Sequence, residues 1–312
     1  MADLLPGLVV AAHGRHCLVE SPDGQRRICH PRGKKNAVVV GDRVQWQVTG
    51  DEGSIERVDE RRNLFYRQDE MRTKSFAANL DQVLVLVAAD PEFSESQLAR
   101  ALIAAQADRI DVLIVLNKSD LQPAFDRAWA RLEPYRRMGC TVLSLRLKSA
   151  DGSEAGLEEL QQRLANKNTL VLGPSGVGKS TLVNRLVPEA RAQTGEISRA
   201  LNSGKHTTTS TTWYWVDADR RTALIDSPGF QEFGLNHIEP MQLAHLMPDL
   251  NATLGECRFY NCTHLHEPGC AVVAHVQVGD PDQPAKDGLA ISENRYRLYR
   301  ELFAELSDKR RY

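Results

Sequence analysis

The order of three short motifs constrains this 312-residue chain more than any other feature. Asn117-Lys118-Ser119-Asp120 has the pattern NKxD, residues 173–180 satisfy G-x-x-x-x-G-K-[ST], and Asp226-Ser227-Pro228-Gly229 has the pattern DxxG. Each follows directly on an apolar run, at 112–116, 169–172 and 222–225, and further runs lie at 83–87 and 141–143. Runs apolar throughout suit strands buried on both faces of a parallel sheet. Amphipathic segments at 95–107 and 157–165 suit the helices that cross between such strands. Each motif then sits at the C-terminal end of a strand, where open α/β sheets bind ligands. On sheets that carry all three motifs the glycine-rich loop ordinarily comes first and NKxD late. Here NKxD comes first, so the sheet must be wound in a rotated, circularly permuted order.

The chemistry of the motifs points to a guanine nucleotide. In the loop Gly173, Pro174, Ser175, Gly176, Val177, Gly178, Lys179 and Ser180, with Thr181 opening the next helix, glycines let backbone N–H groups curl around β- and γ-phosphates. Lys179 supplies a point charge, and the Ser180 hydroxyl suits Mg²⁺. The loop does not distinguish ATP from GTP; Asp120 does. Its carboxylate accepts both the ring N–H and the exocyclic amine of guanine, a donor pair that adenine lacks. Lys118 is expected to pack along the base and Asn117 to tie neighbouring loops together. Ser149 is a candidate for a backbone contact to the guanine O6, an ordinary loop being the alternative. Asp226 is expected to hold Mg²⁺ through water, and the Gly229 N–H to sense the γ-phosphate.

Two features bear on hydrolysis. Familiar GTPases carry a water-orienting Gln directly after DxxG; this chain has Phe230, so another residue or a partner must orient the water. Between loop and DxxG lies Gly204-Lys205-His206-Thr207-Thr208-Thr209. Thr208 is expected to reach Mg²⁺ by analogy, with Thr207 and Thr209 as alternatives. His206 has a ring nitrogen able to orient water, or is an exposed loop histidine. The long polar segment 188–203 reads as a mobile switch loop.

Residues 1–70 read as all-β, with short runs at 7–11 and 36–40 and period-two alternation at 44–48. Five short strands in that span suit a small OB-like barrel. Residues 71–236 form the nucleotide-binding domain. Residues 237–312 read as helical and irregular, with a charged terminal helix over 292–308. Within them Cys257-x4-Cys262-x-His264-x5-Cys270 offers three sulfurs and one nitrogen, suited to a closed, structural tetrahedral Zn²⁺ site. His266 competes for the fourth position. Cys17, Cys29 and Cys140 are scattered, as in a reducing compartment. A net charge of −2 advertises no global affinity for nucleic acid, so such binding must use local patches. Arg26, Arg27, His30, Arg32, Lys34 and Lys35 form a segment without acids, either a phosphate-contacting patch or a solvated loop. No run is long enough to span a membrane, and the N-terminus lacks the features of a signal peptide, so a cytoplasmic protein is expected; it is expected to be a monomer.

With these motifs in hand, the chain resembles the RsgA (YjeQ) family of circularly permuted GTPases along essentially its whole length. The resemblance rests on Gly41-Asp42-Arg43-Val44, the three nucleotide motifs, the 204–209 segment, and Cys257 to Cys270 with Glu267-Pro268-Gly269. It implies hydrolysis of GTP to GDP stimulated by the small (30S) ribosomal subunit, in late maturation of that subunit. It also implies binding near the decoding region, hence contact with 16S rRNA, in part through the barrel. It favours His264 over His266 as metal ligand and His206 as the water-orienting residue. Gly176 stands where potassium-activated relatives carry Asn, which argues against potassium activation. Two rivals differ in class. A GTP-regulated rRNA-binding scaffold with incidental hydrolysis is kept open by Phe230, and an ATP-dependent enzyme is opposed by Asp120.

Overall fold

The computed structural model describes residues 4–13, 16–32, 38–147, 154–188, 190, 211–229, 232–277 and 290–308. Its N-terminal strands are β1 (Leu5–His13), β2 (His16–Glu20), β3 (Arg26–Pro31), β4 (Arg43–Thr49) and β5 (Glu52–Val58). They run in the order β1-β2-β3-β5-β4, and β1 also pairs with β4, so the five close into a barrel with β3 and β5 parallel. Alternate residues point inward, as period-two strands require. Val9, Cys17, Val19, Cys29, Val44, Trp46 and Ile55 fill the interior. Gly53 makes room for this core, because a Cβ there would stand 2.5 Å from the Cys29 sulfur and 2.8 Å from the Trp46 ring.

The described part of the run at 36–40, residues 38–40, does not form the expected strand. Among its described residues only Val40 pairs, in an isolated bridge to Ala77. Asp42 explains the difference. Fully buried, its carboxylate accepts the Val39 N–H at 2.9 Å and a two-pronged bond from Arg61 at 2.7 and 2.8 Å, which curls the segment into a turn. The basic segment on β3 is also less free than its sequence suggests. Arg26 pairs with Glu20, Arg32 with Glu56, and His30 lies 2.5 Å from Glu52, all acids of neighbouring strands. Lys34 and Lys35 lie outside the described residues.

The central domain contains β8 (Gln82–Ala88), β9 (Asp111–Asn117), β10 (Thr141–Ser144), β11 (Asn168–Leu172), β12 (Thr212–Trp215) and β13 (Ala223–Asp226). Their order is β10-β9-β8-β11-β13-β12, parallel except for β12. Alternate residues of these strands enter two separate cores, Leu84, Leu86, Leu113 and Val171 on one face and Val83, Val85, Ile114 and Leu170 on the other. That is why the strands read as unbroken apolar runs. The crossing helices include α1 (Glu95–Ala107), α2 (Ala124–Arg131), α3 (Glu133–Arg137), α4 (Leu157–Leu164) and α5 (Lys179–Leu186). Ser94 caps α1 by accepting the Gln97 N–H at 3.3 Å. Strand β12 also touches β1, through the pair Ala11↔Thr212, so barrel and parallel sheet share one continuous set of strands.

A hairpin, β6 (Leu64–Gln68) and β7 (Thr73–Ala78), lies between barrel and β8 and spans residues 70 and 71. Phe65 and Phe76, 5.7 Å apart, pack together against Phe233, with ring centroids 5.7 and 6.1 Å away. Gln68 exchanges backbone bonds with Gly234 and Asn236, at 3.1 and 2.9 Å. The chain just past DxxG is thereby fastened to the chain just before β8.

The last region holds a 3₁₀ turn at Pro240–Leu246, the short helices α6 (Pro248–Asn251) and α7 (Ala271–Ala274), a small pair β14 (Val276–Gln277) and β15 (Ile291–Ser292), and α8 (Glu293–Asp308). Arg295 of α8 is almost wholly buried, pairs with Asp249 at 2.8 and 3.0 Å, and lies 5.2 Å from the centre of the Tyr135 ring of α3. A buried charge pair of this kind positions α8 more than it stabilises it. Among the described residues no helix is long and apolar enough to cross a membrane.

Candidate functional site

The glycine-rich loop links β11 to α5, as its pattern requires. Gly173 has φ +156°, and a Cβ there would stand 2.3 Å from the Leu86 carbonyl of the neighbouring strand. Gly176 and Gly178 are left-handed, at φ +83° and +107°, so the loop curls back on itself before the helix begins. Lys179 opens α5 and folds over the loop, its Nζ donating to the carbonyls of Gly173 and Pro174 at 2.8 and 2.7 Å. Burial lowers its pKa, and the nearby Asp226 carboxylate works in the opposite sense. Ser180 is exposed in the first turn of α5, with Thr181 beside it.

Asp226, the last residue of β13, is buried and pairs across to Val171 of β11. The fully buried Ser227 donates its hydroxyl to the Val171 carbonyl at 2.7 Å and sets the turn that follows. The turn carries Gly229 against the phosphate loop. A Cβ on Gly229 would lie 3.2 Å from Lys179 Nζ and 3.4 Å from the Ser175 nitrogen. The structure therefore brings Lys179, Ser175 and the DxxG glycine within van der Waals reach.

Asn117 ends β9 and joins the third motif to the other two. Almost fully buried, it donates its Nδ2 to the Val177 carbonyl at 2.9 Å. A Cβ on Gly178 would stand only 2.5 Å from that nitrogen, so the clamp needs glycine at 178. Lys118 is left-handed, at φ +65°, and its Nζ donates to the Asp90 carbonyl. Backbone bonds from Leu121 to Lys118 and from Gln122 to Asp120, at 3.0 and 3.1 Å, close a tight turn on which Asp120 is exposed. The site thus includes a segment that the motifs do not name, Asp90-Pro91. Asp90 holds Lys118, and Pro91 comes within 3.7 Å of where a Gly176 Cβ would be. The available signal was positional, since this segment follows the apolar run of β8 at the same edge of the sheet. Ser149, His206, Thr207, Thr208, Thr209, Phe230 and Gln231 lie outside the described residues.

The second centre is in the last region. The ligand atoms of Cys257, Cys262, His264 and Cys270 all lie within 4.8 Å of one another. His264 turns Nδ1 toward the Cys257 and Cys270 sulfurs, at 3.6 and 3.5 Å. A tetrahedral metal with bonds of about 2.3 Å to sulfur and 2.0 Å to nitrogen has nitrogen–sulfur edges of about 3.5 Å, so the cluster fits a metal with its four positions filled. His266 is exposed and outside the cluster. Supporting bonds fix the loops. Glu267 accepts N–H bonds from Thr263, Leu265 and His266 at 2.9, 3.2 and 3.3 Å. Burial pushes its carboxyl up, but the bonds from Thr263 and its neighbours outweigh that and hold it well below the usual carboxylate range. From α8, Tyr296 and Tyr299 donate their hydroxyls to the carbonyls of His264 and Thr263 at 2.8 and 2.7 Å.

Known proteins share this arrangement. A family model described as RsgA GTPase matches residues 58–236. The small ribosomal subunit biogenesis GTPase RsgA of Variovorax paradoxus is 69% identical over 304 residues, covering 97% of this chain and 93% of the relative. The protein of the same description from Paraburkholderia phytofirmans is 50% identical over 306 residues, covering 96% of this chain and 93% of its own. Two solved structures superpose along nearly the whole length. YloQ, described as a circularly permuted GTPase, gives a TM-score of 0.69 at 26% identity, covering 98% of this chain and 96% of its own. YjeQ from Thermotoga maritima gives 0.70 at 29% identity, covering 97% and 99%.

Proposed function

The chain belongs to the RsgA family of circularly permuted GTPases, and from that premise we propose how its own residues carry out the family's work. It is a GTP hydrolase acting in the biogenesis of the small ribosomal subunit. The observation that carries the reading is the convergence of three motifs, distant in sequence and rotated in order, on one edge of the sheet, where Asn117 clamps Val177 and Gly229 lies against Lys179.

In this reading Asp120 selects guanine, Lys118 lies along the base, and the loop from Gly173 to Thr181 wraps the phosphates. Ser180, Asp226 and Thr208 would hold Mg²⁺, which would supply positive charge against the β- and γ-phosphates. Lys179 leaves its own loop carbonyls for phosphate oxygens, Gly229 N–H meets the γ-phosphate, and Ser149 contributes a backbone contact to the base. His206 orients the attacking water. The metal of the Cys257, Cys262, His264 and Cys270 cluster is Zn²⁺, the usual choice of a closed Cys₃His set, and its role is structural. The three units are the barrel (1–70), the nucleotide domain (71–236) and the zinc module (237–312). The protein works as a cytoplasmic monomer that contacts 16S rRNA on the 30S subunit.

Two measurements test this assignment. Asp120→Asn replaces one of the two carboxylate oxygens that accept from guanine's N–H groups by an amide N–H donor. A hydrogen bond to a charged group contributes about 1.5–3 kcal/mol, so GTP affinity should fall by about 10- to 100-fold while xanthine nucleotides gain. Unchanged GTP binding by titration calorimetry would sink the guanine assignment. The second concerns activation. With Phe230 after DxxG, intrinsic turnover should be slow, and 30S subunits should raise it by about one decade or more, because partner-completed sites in other GTPases gain up to about 10³–10⁵. His206→Ala should bind nucleotide and subunit normally yet lose most of the stimulation. Full stimulation of that variant would transfer the role to Gln231 or to a ribosomal group, and no stimulation of the native protein would favour the scaffold reading.

A further inference from the structure

Between the metal ligands Cys257 and Cys262 the chain presents Arg258, Phe259, Tyr260 and Asn261 to solvent. Tyr260 is as exposed as a side chain can be, at 107%, and Phe259 is 40% exposed. Among the described residues these are the only Phe, Tyr or Trp side chains in the exposed class, and they are adjacent. The Arg258 guanidinium lies over the Phe259 ring, 5.4 Å from its centre, and forms no ion pair among the described residues. The loop that carries them is not slack. The Arg258 N–H donates to the Gly269 carbonyl at 3.1 Å, the Cys262 N–H donates to the Phe259 carbonyl at 3.3 Å, and both loop ends are metal ligands.

A tyrosine left bare on a fastened loop gives up apolar burial at no gain to the fold. Two kinds of partner take up such a ring. A protein partner would bury it as an anchor within a rim of further apolar side chains. Here the flanking residues Gly255, Glu256 and Asn261 are exposed and provide no aliphatic rim. The other partner is an unpaired nucleobase, which needs one flat face and a cation for the adjoining phosphate. Tyr260 supplies the face, and Arg258, with no carboxylate partner of its own, supplies the charge.

We propose that the Cys257–Cys262 loop is a base-stacking subsite for single-stranded RNA, in which Tyr260 stacks on one unpaired base and Arg258 meets its phosphate. This inference rests on the small ribosomal subunit being the partner, and it adds the residues and the mode of contact. The subsite reads a flipped or looped nucleotide, not a duplex, and it is tolerant of base identity because every base has a π-face.

The test uses the full-length, metal-loaded protein and a fluorescein-labelled, single-stranded oligoribonucleotide of about ten nucleotides, within the length range that such sites occupy. Binding is followed by anisotropy, with 30S co-sedimentation in parallel. Tyr260→Ala should weaken oligonucleotide binding about tenfold, the size of one lost base–aromatic contact. Tyr260→Phe, which keeps the ring, should bind as the native protein does, and Arg258→Ala should weaken binding and flatten its salt dependence. Zinc content and subunit-free GTP turnover should be unchanged in all three. Native-like binding by Tyr260→Ala, or no binding of the oligonucleotide by the native protein, overturns the subsite. Weakened 30S binding with intact oligonucleotide binding also overturns it, in favour of a ribosomal protein as the partner. If the native protein fails to co-sediment with 30S subunits at all, the failure is that of the family function and not of the stacking loop alone.

Discussion

Lys179→Ala is expected to lower GTP turnover by two decades or more while leaving the thermal midpoint within a few degrees of the native value. The ammonium lies against the carbonyls of Gly173 and Pro174 and within reach of the Gly229 backbone, where the proposed function puts the γ-phosphate. Removing one preorganised group of this kind costs about 10²–10³ in rate. The effect on the fold is small because the side chain packs against no core. Its contacts are loop carbonyls, and its burial already disfavours the charged form. Phosphate release at saturating GTP and Mg²⁺ checks the first part and a calorimetric melt the second. Turnover close to native would remove Lys179 from the machinery.

Cys262→Ser, or exhaustive chelation of the native protein, should strip the metal and unfold much of 237–312. Structural zinc sites contribute about 10–16 kcal/mol of apparent binding energy, as much as the whole stability of a typical domain at about 5–15 kcal/mol. The local helices are short, Pro248–Asn251 and Ala271–Ala274, and cannot persist alone. Release of the loop also frees α8, whose Tyr296 and Tyr299 are anchored on the His264 and Thr263 carbonyls. Elemental analysis should give one zinc per native chain and none for the variant, with amide protection lost from 237–308 and kept in the barrel. Zinc retained at full occupancy in Cys262→Ser would contradict the ligand set.

The parts of this molecule that were legible in its sequence are those set by local pattern. The apolar runs at 83–87, 112–116 and 169–172 became β8, β9 and β11 to within a residue or so, and the amphipathic segment 95–107 became α1, because burial on two faces or on one leaves a periodic trace. His264 and His266 could not be separated by spacing alone. The folded loop turns Nδ1 of one toward two sulfurs and leaves the other in solvent. What escaped depended on residues far apart in sequence. The β6–β7 hairpin takes its place from Phe233 and from backbone bonds to 234 and 236, more than 150 positions away. The turn at Val39 owes its shape to a buried Asp42 whose partner, Arg61, belongs to another segment. The β3 cations looked unopposed because Glu52 and Glu56 reach them from a strand that is parallel and distant in the chain.

The strand order β10-β9-β8-β11-β13-β12 has a consequence for how the protein is made. The barrel is synthesised ahead of the central sheet and can close before the strands of that sheet emerge. The half that carries NKxD follows as β8, β9 and β10, a three-stranded fragment whose β8 edge is apolar from Val83 to Ala88. That edge has no strand to pair with until β11 leaves the ribosome, and β11 in turn waits for β13. In the ordinary motif order the phosphate-loop strand is made first and later strands are laid down around it. Here it is a keystone fitted between two halves, and the nascent chain carries an open sheet edge through the synthesis of α2, α3, β10 and α4, the interval in which mispairing with another nascent chain is most exposed.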